Sequence, residues 1–300
     1  MSKILVTGAD GFTGRYLAAE LQRAGHEVHG LVHKPVPSSP TSSVSEWHVA
    51  DLCDAAALKA VVRSVQPEKV VHLAAIAFVA HGDVDAIYST NLTGTRHLLE
   101  ALAQSQSSID SVLLASSANI YGNSTGGVLD EFTQPAPAND YAVSKLAMEF
   151  AARLYADRLP IVTVRPFNYT GVGQAESFLI PKIISHVRRR APVIELGNIE
   201  VARDFSDVRN VVQLYRRLVE TPAAIGQTFN VCSGDAWTLT EVLAMVRQIS
   251  GHDFEVRVNP AFVRANEVKT LVGNRAKLDA VVGRLPEIAL EDTLRWMLEA

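Results

Sequence analysis

Tyr141 and Lys145 stand four residues apart, a spacing that puts both on one face of a helix. An ammonium beside a phenol favours the phenolate. The expected effect of Lys145 is therefore to lower the Tyr141 pKa, so that the phenol exchanges a proton near neutral pH. An unassisted tyrosine, with a pKa of about 10, does this poorly. A second constellation, Gly8-Ala9-Asp10-Gly11-Phe12-Thr13-Gly14, follows the short apolar run Lys3 to Thr7 and opens a helix-like stretch. Glycines at such a junction allow a tight turn and close approach of backbone to a pyrophosphate, and free amides at the helix start face its charge. A third element is the pair Ser116-Ser117, which ends another apolar strand. Each pattern alone is common. Together, in this order, they point to proton transfer beside a bound dinucleotide.

The end of the second strand bears on which dinucleotide. A carboxylate there would accept hydrogen bonds from the adenosine ribose and disfavour a 2′-phosphate. The chain instead reads Val28-His29-Gly30-Leu31-Val32-His33-Lys34. Lys34 and His33 could meet a phosphate, which favours NADP(H), with NAD(H) as the alternative; Lys34 could equally open a solvent-exposed loop. Asp51 could bond the adenine, cap the helix starting near Ala55, or hold the intervening turn.

The elements that must position these groups are legible from periodicity. Strands are expected at Lys3 to Thr7, Glu27 to Val32, Trp47 to Val49, Lys69 to Ala74, Ser111 to Ser116 and Ile161 to Arg165. Helices are expected at Phe12 to Ala24, after Asp51, at Leu92 to Gln104 and at Tyr141 to Ala156, the last with Val143, Leu146, Phe150 and Leu154 as an apolar stripe. Lys34 to Ser45, rich in proline and serine, reads as a loop. Alternating strands and helices predict an α/β fold: a Rossmann-type parallel sheet with helices on both faces. Residues 1–165 would form this nucleotide-binding domain. Residues 166–300 would form a smaller C-terminal α/β lobe for substrate, with helices near Pro181 to Arg189, Val208 to Glu220, Thr240 to Ile249 and Leu290 to Glu299. The strand Thr228 to Cys232 would return to the main sheet.

Bulk properties exclude other classes. With 28 basic and 32 acidic residues dispersed among 300, the net charge of −4 gives no reason to expect nucleic acid or an acidic membrane as partner. The run Arg188-Arg189-Arg190 reads as a solvated helix end. Cys53 and Cys232 lack metal-binding spacing and read as buried free thiols. No metal is expected. No secretory segment or membrane-length apolar stretch is evident, so a cytoplasmic location is expected.

The chain resembles the extended short-chain dehydrogenase/reductases that modify nucleotide-linked sugars, over nearly its full length. The resemblance rests on Thr7 to Gly14 (TGADGFTG), His72 to Ala75 (HLAA), Asn91, Ser116 to Gly122 (SSANIYG), Tyr141 to Lys145 (YAVSK) and Arg165 to Asn168 (RPFN). It implies Tyr141 as acid/base, Lys145 also as holder of the nicotinamide ribose, and Ser117 as hydrogen-bond donor to the reacting oxygen. It further implies cofactor contacts from Gly8, Asp10, Gly11, Phe12, Gly14, His33, Lys34, Asp51, Leu52, Leu73, Ala74, Ala75, Asn91, Tyr141, Lys145 and Pro166, and a homodimer built on two long helices per subunit. The 4,6-dehydratases of this family carry an acid just after the catalytic hydroxyl. Ala118 and Asn119 stand there, which removes the obvious acid and base for dehydration. Segments Arg165 to Gln174, Gly197 to Val212, Val231 to Gly234 and Arg264 to Leu278 resemble the GDP-4-keto-6-deoxymannose reductases, which use a GDP-linked 4-keto-6-deoxy sugar. By that resemblance Asn119, Asn168, Arg203, Arg264 and Glu267 join Ser117 on the substrate side. A 4-epimerase is the alternative reaction. For Arg203, a structural salt bridge with Asp204 or Asp207 is the alternative role.

Overall fold

The computed structural model describes residues 1–36, 43–77, 82–122, 127–262 and 270–300. In chain order the first half holds β1 (Lys3–Thr7), α1 (Phe12–Arg23), β2 (Glu27–Val32), β3 (Glu46–Val49), α2 (Ala55–Val65), β4 (Lys69–His72), α3 (Val84–Tyr88), α4 (Thr95–Ala103), β5 (Ser111–Ala115), β6 (Gly127–Leu129), α5 (Asp140–Arg153) and β7 (Ile161–Pro166). The second half holds β8 (Asn168–Thr170), α6 (Leu179–Arg188), β9 (Val193–Leu196), β10 (Ala202–Asp207), α7 (Val208–Glu220), β11 (Thr228–Val231), β12 (Ala236–Thr238), α8 (Leu239–Ser250), β13 (Glu255–Val258), β14 (Thr270–Gly273), α9 (Ala276–Val282) and α10 (Leu290–Glu299).

Seven strands form one sheet in the order β11-β7-β5-β4-β1-β2-β3, every pair parallel. Its central strands are buried on both faces, which is why Ile4-Leu5-Val6 and Val112-Leu113-Leu114 are continuous apolar runs rather than alternating ones. Alternation instead sorts them between two cores. Ile4 and Val6 pack with Leu17 and Leu21 of α1 and Val211, Tyr215 and Leu218 of α7. Leu5 and Val70 pack on the other face with Leu58 and Val62 of α2, Leu98 and Leu102 of α4 and Met148 of α5. This is the Rossmann-type architecture expected. Strand order reverses beside β1, so the crevice between β1 and β4 at their carboxyl ends is the natural ligand site.

The second half divides less simply than a break at residue 165 suggests. β11 does return to the sheet edge beside β7. So does more of the chain: α7, and Leu278 and Val282 of α9, join the core under α1. Conversely β6, from the first half, joins the lobe sheet beside β14. That sheet runs β12-β10-β14-β6 with β8 paired to β10, while β9 and β13 form a separate parallel pair. Ile183 and Ile184 of α6, Val242 of α8, Phe205 of β10 and Leu294 of α10 fill the lobe core.

Helix starts follow from local chemistry. Asp54 accepts the amides of Ala56 and Ala57 to open α2, and Asn139 accepts that of Ala142 to open α5. Thr238 and Glu241 close a capping box on α8. The helix expected from Leu92 begins earlier, because α3 runs through a π-turn, Ser89–Gly94, into α4. Its Ser-Thr-Asn composition conceals the helix, and the wide turn puts Asn91 inward. Arg188, Arg189 and Arg190 are exposed at the end of α6, as expected. Cys53 corrects its expectation: it is exposed in the turn after Asp51, whereas Cys232 is buried, and both are free.

Candidate active site

The carboxyl ends of β1 and β4 and the start of α1 open into a cleft of about 490 Å³. Gly8 sits at φ +67°, and a Cβ there would lie 3.0 Å from the Ala74 backbone. At Gly14 a Cβ would lie 2.1 Å from the Gly8 carbonyl, so only glycine lets α1 pack against the turn. The N-cap of α1 is Gly11, with no side chain over the helix end. The first amides of α1 are thus left to an anion in the cleft, and the cradle fits a dinucleotide pyrophosphate. Phe12, Leu73, Ala75 and Pro166 line the same space. Ala74 is held behind it, its amide donating to Thr7 Oγ1 at 3.1 Å.

The expected serine, tyrosine and lysine meet deeper in. Ser117, Tyr141 and Lys145 all line the cleft and all are buried. Asn119 donates to Ser117 Oγ from its backbone (3.1 Å) and its amide (3.2 Å), so the Ser117 hydroxyl is left as the donor and in this chain meets Tyr141. Burial pushes the Tyr141 pKa up to about 12, a rise that a hydrogen bond with Ser117 only partly offsets. This corrects the expectation that Lys145 lowers it. The Lys145 ammonium donates to the Ala115 carbonyl at 2.7 Å. Its own pKa is pulled down to about 8 by burial, against an upward pull from Glu149. In the isolated chain desolvation outweighs the hydrogen bond with Ser117, so Tyr141 is held protonated.

Beneath the trio lies a buried polar frame. Glu149, one turn beyond Lys145, pairs bidentately with Arg165 of β7 at 3.0 and 2.7 Å. Arg165 also donates to the Tyr121 hydroxyl, which donates to Asn230 of β11. Helix α5 and the Ser117–Tyr121 segment are thereby referenced to the same two strands. His72 is wedged between the hydroxyls of Thr7 and Thr95 at 2.7 and 2.9 Å, and burial lowers its pKa to about 3, so the ring is neutral.

Other expected contacts find different places. The Asn91 amide is fully engaged, with the Ile76 backbone and with Ser144 of α5, so it positions the helix of Lys145 rather than facing a ligand. Leu52 is buried against Gly94. Asp10 is exposed at the turn. Asp51 accepts the Cys53 amide, which makes it the turn residue while Asp54 is the cap, and it lies 3.8 Å from His33. His33 and Lys34 are exposed at the end of β2. Asn119 and Asn168 line the cleft, Asn168 donating to the Asp204 carbonyl. Arg203, on β10, donates to the Ala202 carbonyl. The carboxylates weighed as its partners serve others: Asp204 accepts from Ser233 and Gly234, and Asp207 pairs with Arg209. Arg264 and Glu267 lie outside the described residues. Sequence reasoning missed Thr13 and Tyr169, whose hydroxyls meet at 2.8 Å across the cleft, and the stacking of Tyr169 on Phe12. Tyr169 sits inside the quoted stretch Arg165 to Gln174, yet only the fold brings it against the glycine turn.

A parallel α/β sheet with a glycine cradle at its switch point, and a buried serine, tyrosine and lysine beside it, defines a dinucleotide-dependent oxidoreductase. Residues 4–232 match the NAD dependent epimerase/dehydratase family, and the chain belongs to it. A GDP-6-deoxy-D-talose 4-dehydrogenase of Aggregatibacter actinomycetemcomitans is 33% identical over 282 residues, 94% of this chain and 91% of the relative. A GDP-6-deoxy-D-mannose reductase of Pseudomonas aeruginosa is also 33% identical, over 99% of this chain and 96% of the relative. Among solved structures, a Burkholderia cenocepacia protein provisionally described as an epimerase superposes with a TM-score of 0.94 at 54% identity, covering 99% of this chain and 97% of that one. RMD from Pseudomonas aeruginosa, complexed with NADPH, superposes at 0.85 with 31% identity, covering 100% and 98%. This chain is therefore an NAD(P)-dependent oxidoreductase.

Proposed function

We propose that the protein reduces the C4 ketone of GDP-4-keto-6-deoxy-D-mannose with NADPH, giving GDP-D-rhamnose. One observation carries this reading: among the described residues lining the cleft there is no aspartate or glutamate. A 4,6-dehydratase needs a carboxylate to expel the C6 hydroxyl and remove a C5 proton, whereas ketone reduction needs only a hydride source and one acid. Tyr141, held protonated by burial, is that acid. It donates its proton to the oxygen at C4 as negative charge develops there. The Ser117 hydroxyl, oriented by Asn119, donates a hydrogen bond to the same oxygen, so two donors converge where the transition state is most negative. Lys145 holds the nicotinamide ribose, and its raised acidity suits it to reprotonating the phenolate. When bound against the Gly8–Gly14 cradle, NADPH supplies the hydride.

The two curated relatives support a GDP-linked 6-deoxyhexose, and their names differ in the configuration at C4. That difference favours a second reading in which the hydride arrives on the opposite face to give the 6-deoxytalose. His33 and Lys34, both exposed at the end of β2 where a carboxylate would exclude a 2′-phosphate, support NADP(H) over NAD(H). The protein works as a homodimer through α5, whose outer face presents Val143, Phe150 and Leu154 to solvent in the single chain.

The test offers purified protein GDP-4-keto-6-deoxymannose with NADPH or NADH, follows nicotinamide absorbance, and assigns the sugar by NMR. Stoichiometric oxidation with a rhamno product is expected, with NADPH bound more tightly than NADH. A talo product would transfer the assignment to the second reading. Interconversion of C4 epimers without net cofactor consumption would establish an epimerase instead.

A further inference from the structure

Away from the cleft, β2 and the edge strand β3 bring two histidines and two glutamates together on one side of the sheet. Glu27 and His29 share a face of β2, and Glu46 and His48 share a face of β3, in a register that sets His29 against Glu46 and Leu31 against His48. His29 is 4% exposed. Its Nε2 lies 2.8 Å from Glu27 Oε1, and because a carboxylate only accepts, that nitrogen carries the ring proton. The opposite nitrogen, Nδ1, is left with its lone pair directed at His48 Nε2, 3.0 Å away, and at Glu46 Oε2, 3.7 Å away. His48 Nε2 and Glu46 Oε2 are 4.0 Å apart.

We propose that this cluster is a metal site, taking one late first-row divalent cation, with His29 Nδ1, His48 Nε2 and a Glu46 carboxylate oxygen as ligands. A circle through the three atoms has a radius of about 2.1 Å, which is the length of a zinc–nitrogen or zinc–carboxylate bond. A point among them therefore lies within bonding reach of all three donor atoms without moving the backbone, His29 staying on Glu27. Glu46 is 62% exposed at its side chain, so a fourth position stays open to water. The Glu27–His29 bond supplies what an isolated cluster lacks: the carboxylate behind a ligating histidine that fixes its tautomer and raises its basicity. Two imidazoles and a carboxylate suit zinc or its neighbours and not magnesium or calcium, which take oxygen. In the chain alone the His48 Nε2 proton bridges the two rings; on binding, His48 takes the Nδ1 tautomer and Nε2 turns to the ion. The ion would clamp β3 to β2, pinning the strand that leads into the Asp51 turn.

The inference is independent of the sugar substrate, and its test does not read activity first. Zn²⁺ is titrated calorimetrically into the full-length, chelator-treated protein with NADPH present. We expect one ion per chain, lost or weakened at least about tenfold in Glu46→Gln and in His48→Gln, and weakened about 10- to 100-fold in Glu27→Gln. At a hundredfold excess of free Zn²⁺ over Kd, the melting temperature should rise by about 4 °C in the parent and not in the ligand variants. Ketone reduction by chelator-treated His48→Gln should equal the parent. Glu46 is exposed enough that its variant folds whatever His48→Gln does. Absence of Zn²⁺ binding to the parent, or undiminished binding by Glu46→Gln, would overturn the proposal.

Discussion

At the scale of single residues, the division of labour follows from how burial treats each group. Tyr141 is raised to about 12 and Lys145 lowered to about 8, both mainly by desolvation, so each is pushed toward its neutral form. For Tyr141 that is the form that the proposed reduction needs as its acid. Replacing it by phenylalanine should lower kcat about 10²- to 10⁴-fold, the usual worth of a positioned proton donor, and leave NADPH affinity nearly unchanged. Rates and cofactor titrations on the variant check this, and intact activity would refute the mechanism. Lys145 predicts a pH effect on stability. Between about 8 and 10.5 the unfolded chain keeps a lysine proton that the folded chain has released, so the folded state gains stability as pH rises through that window. The full gain is about 3 kcal/mol for this buried group, and the opposing rise from Tyr141 acts only above 10. Urea unfolding at pH 7 and pH 9.5 should show the cofactor-free parent gaining on Lys145→Met; a pH-independent difference would contradict the burial argument.

At the scale of elements, the site is a meeting of one helix with two strands. α5 carries Tyr141 and Lys145 on its inner face, and the Glu149–Arg165 pair locks that helix to β7. Both partners are almost fully buried, with side chains 3% and 5% exposed. Truncating one strands the other's charge in the core, so Glu149→Ala should cost about 3–5 kcal/mol of unfolding free energy. Chemical denaturation measures it. A loss below about 1 kcal/mol would mean that Arg165 finds solvent or another partner. The turn at Ser89–Gly94 works in the same way, since its widened geometry lets Asn91 tie the Ile76 backbone to α5.

At the scale of the whole molecule, the apolar stripe of α5 has an outcome that its period alone does not assign. The buried residues of that helix are Tyr141, Ala142, Ser144, Lys145, Met148, Glu149, Ala151 and Ala152, none of them from the apolar stripe the period marks. Val143, Phe150 and Leu154, at 38%, 55% and 76% exposed, face outward. Association through this face predicts a light-scattering mass near twice 32.5 kDa at micromolar concentration, and Phe150→Asp should shift the protein to monomer. A monomeric parent would rule it out.

Those residues also mark what the amino-acid order settles by itself. Glycine spacing, the Tyr141–Lys145 interval and the apolar runs of β1, β4 and β5 are local: three or four neighbouring side chains set a period, and the period implies an element and its burial. The Tyr141–Lys145 pair, the glycine cradle and the parallel sheet were legible at that range, whereas Ser117 was singled out from Ser116 only by the family resemblance. Tertiary structure alone decided the rest. Period could not say that α7 and α9 cover the main sheet, that β6 crosses into the lobe, or that Tyr169 meets Thr13. Nor could it reveal the desolvation that reverses the expected direction of the Tyr141 pKa, because burial depends on what the rest of the chain lays over a residue. The gathering of Glu27, His29, Glu46 and His48 is of the same kind. It exists only because β2 and the edge strand β3 pair in one register, which no spacing within either strand encodes.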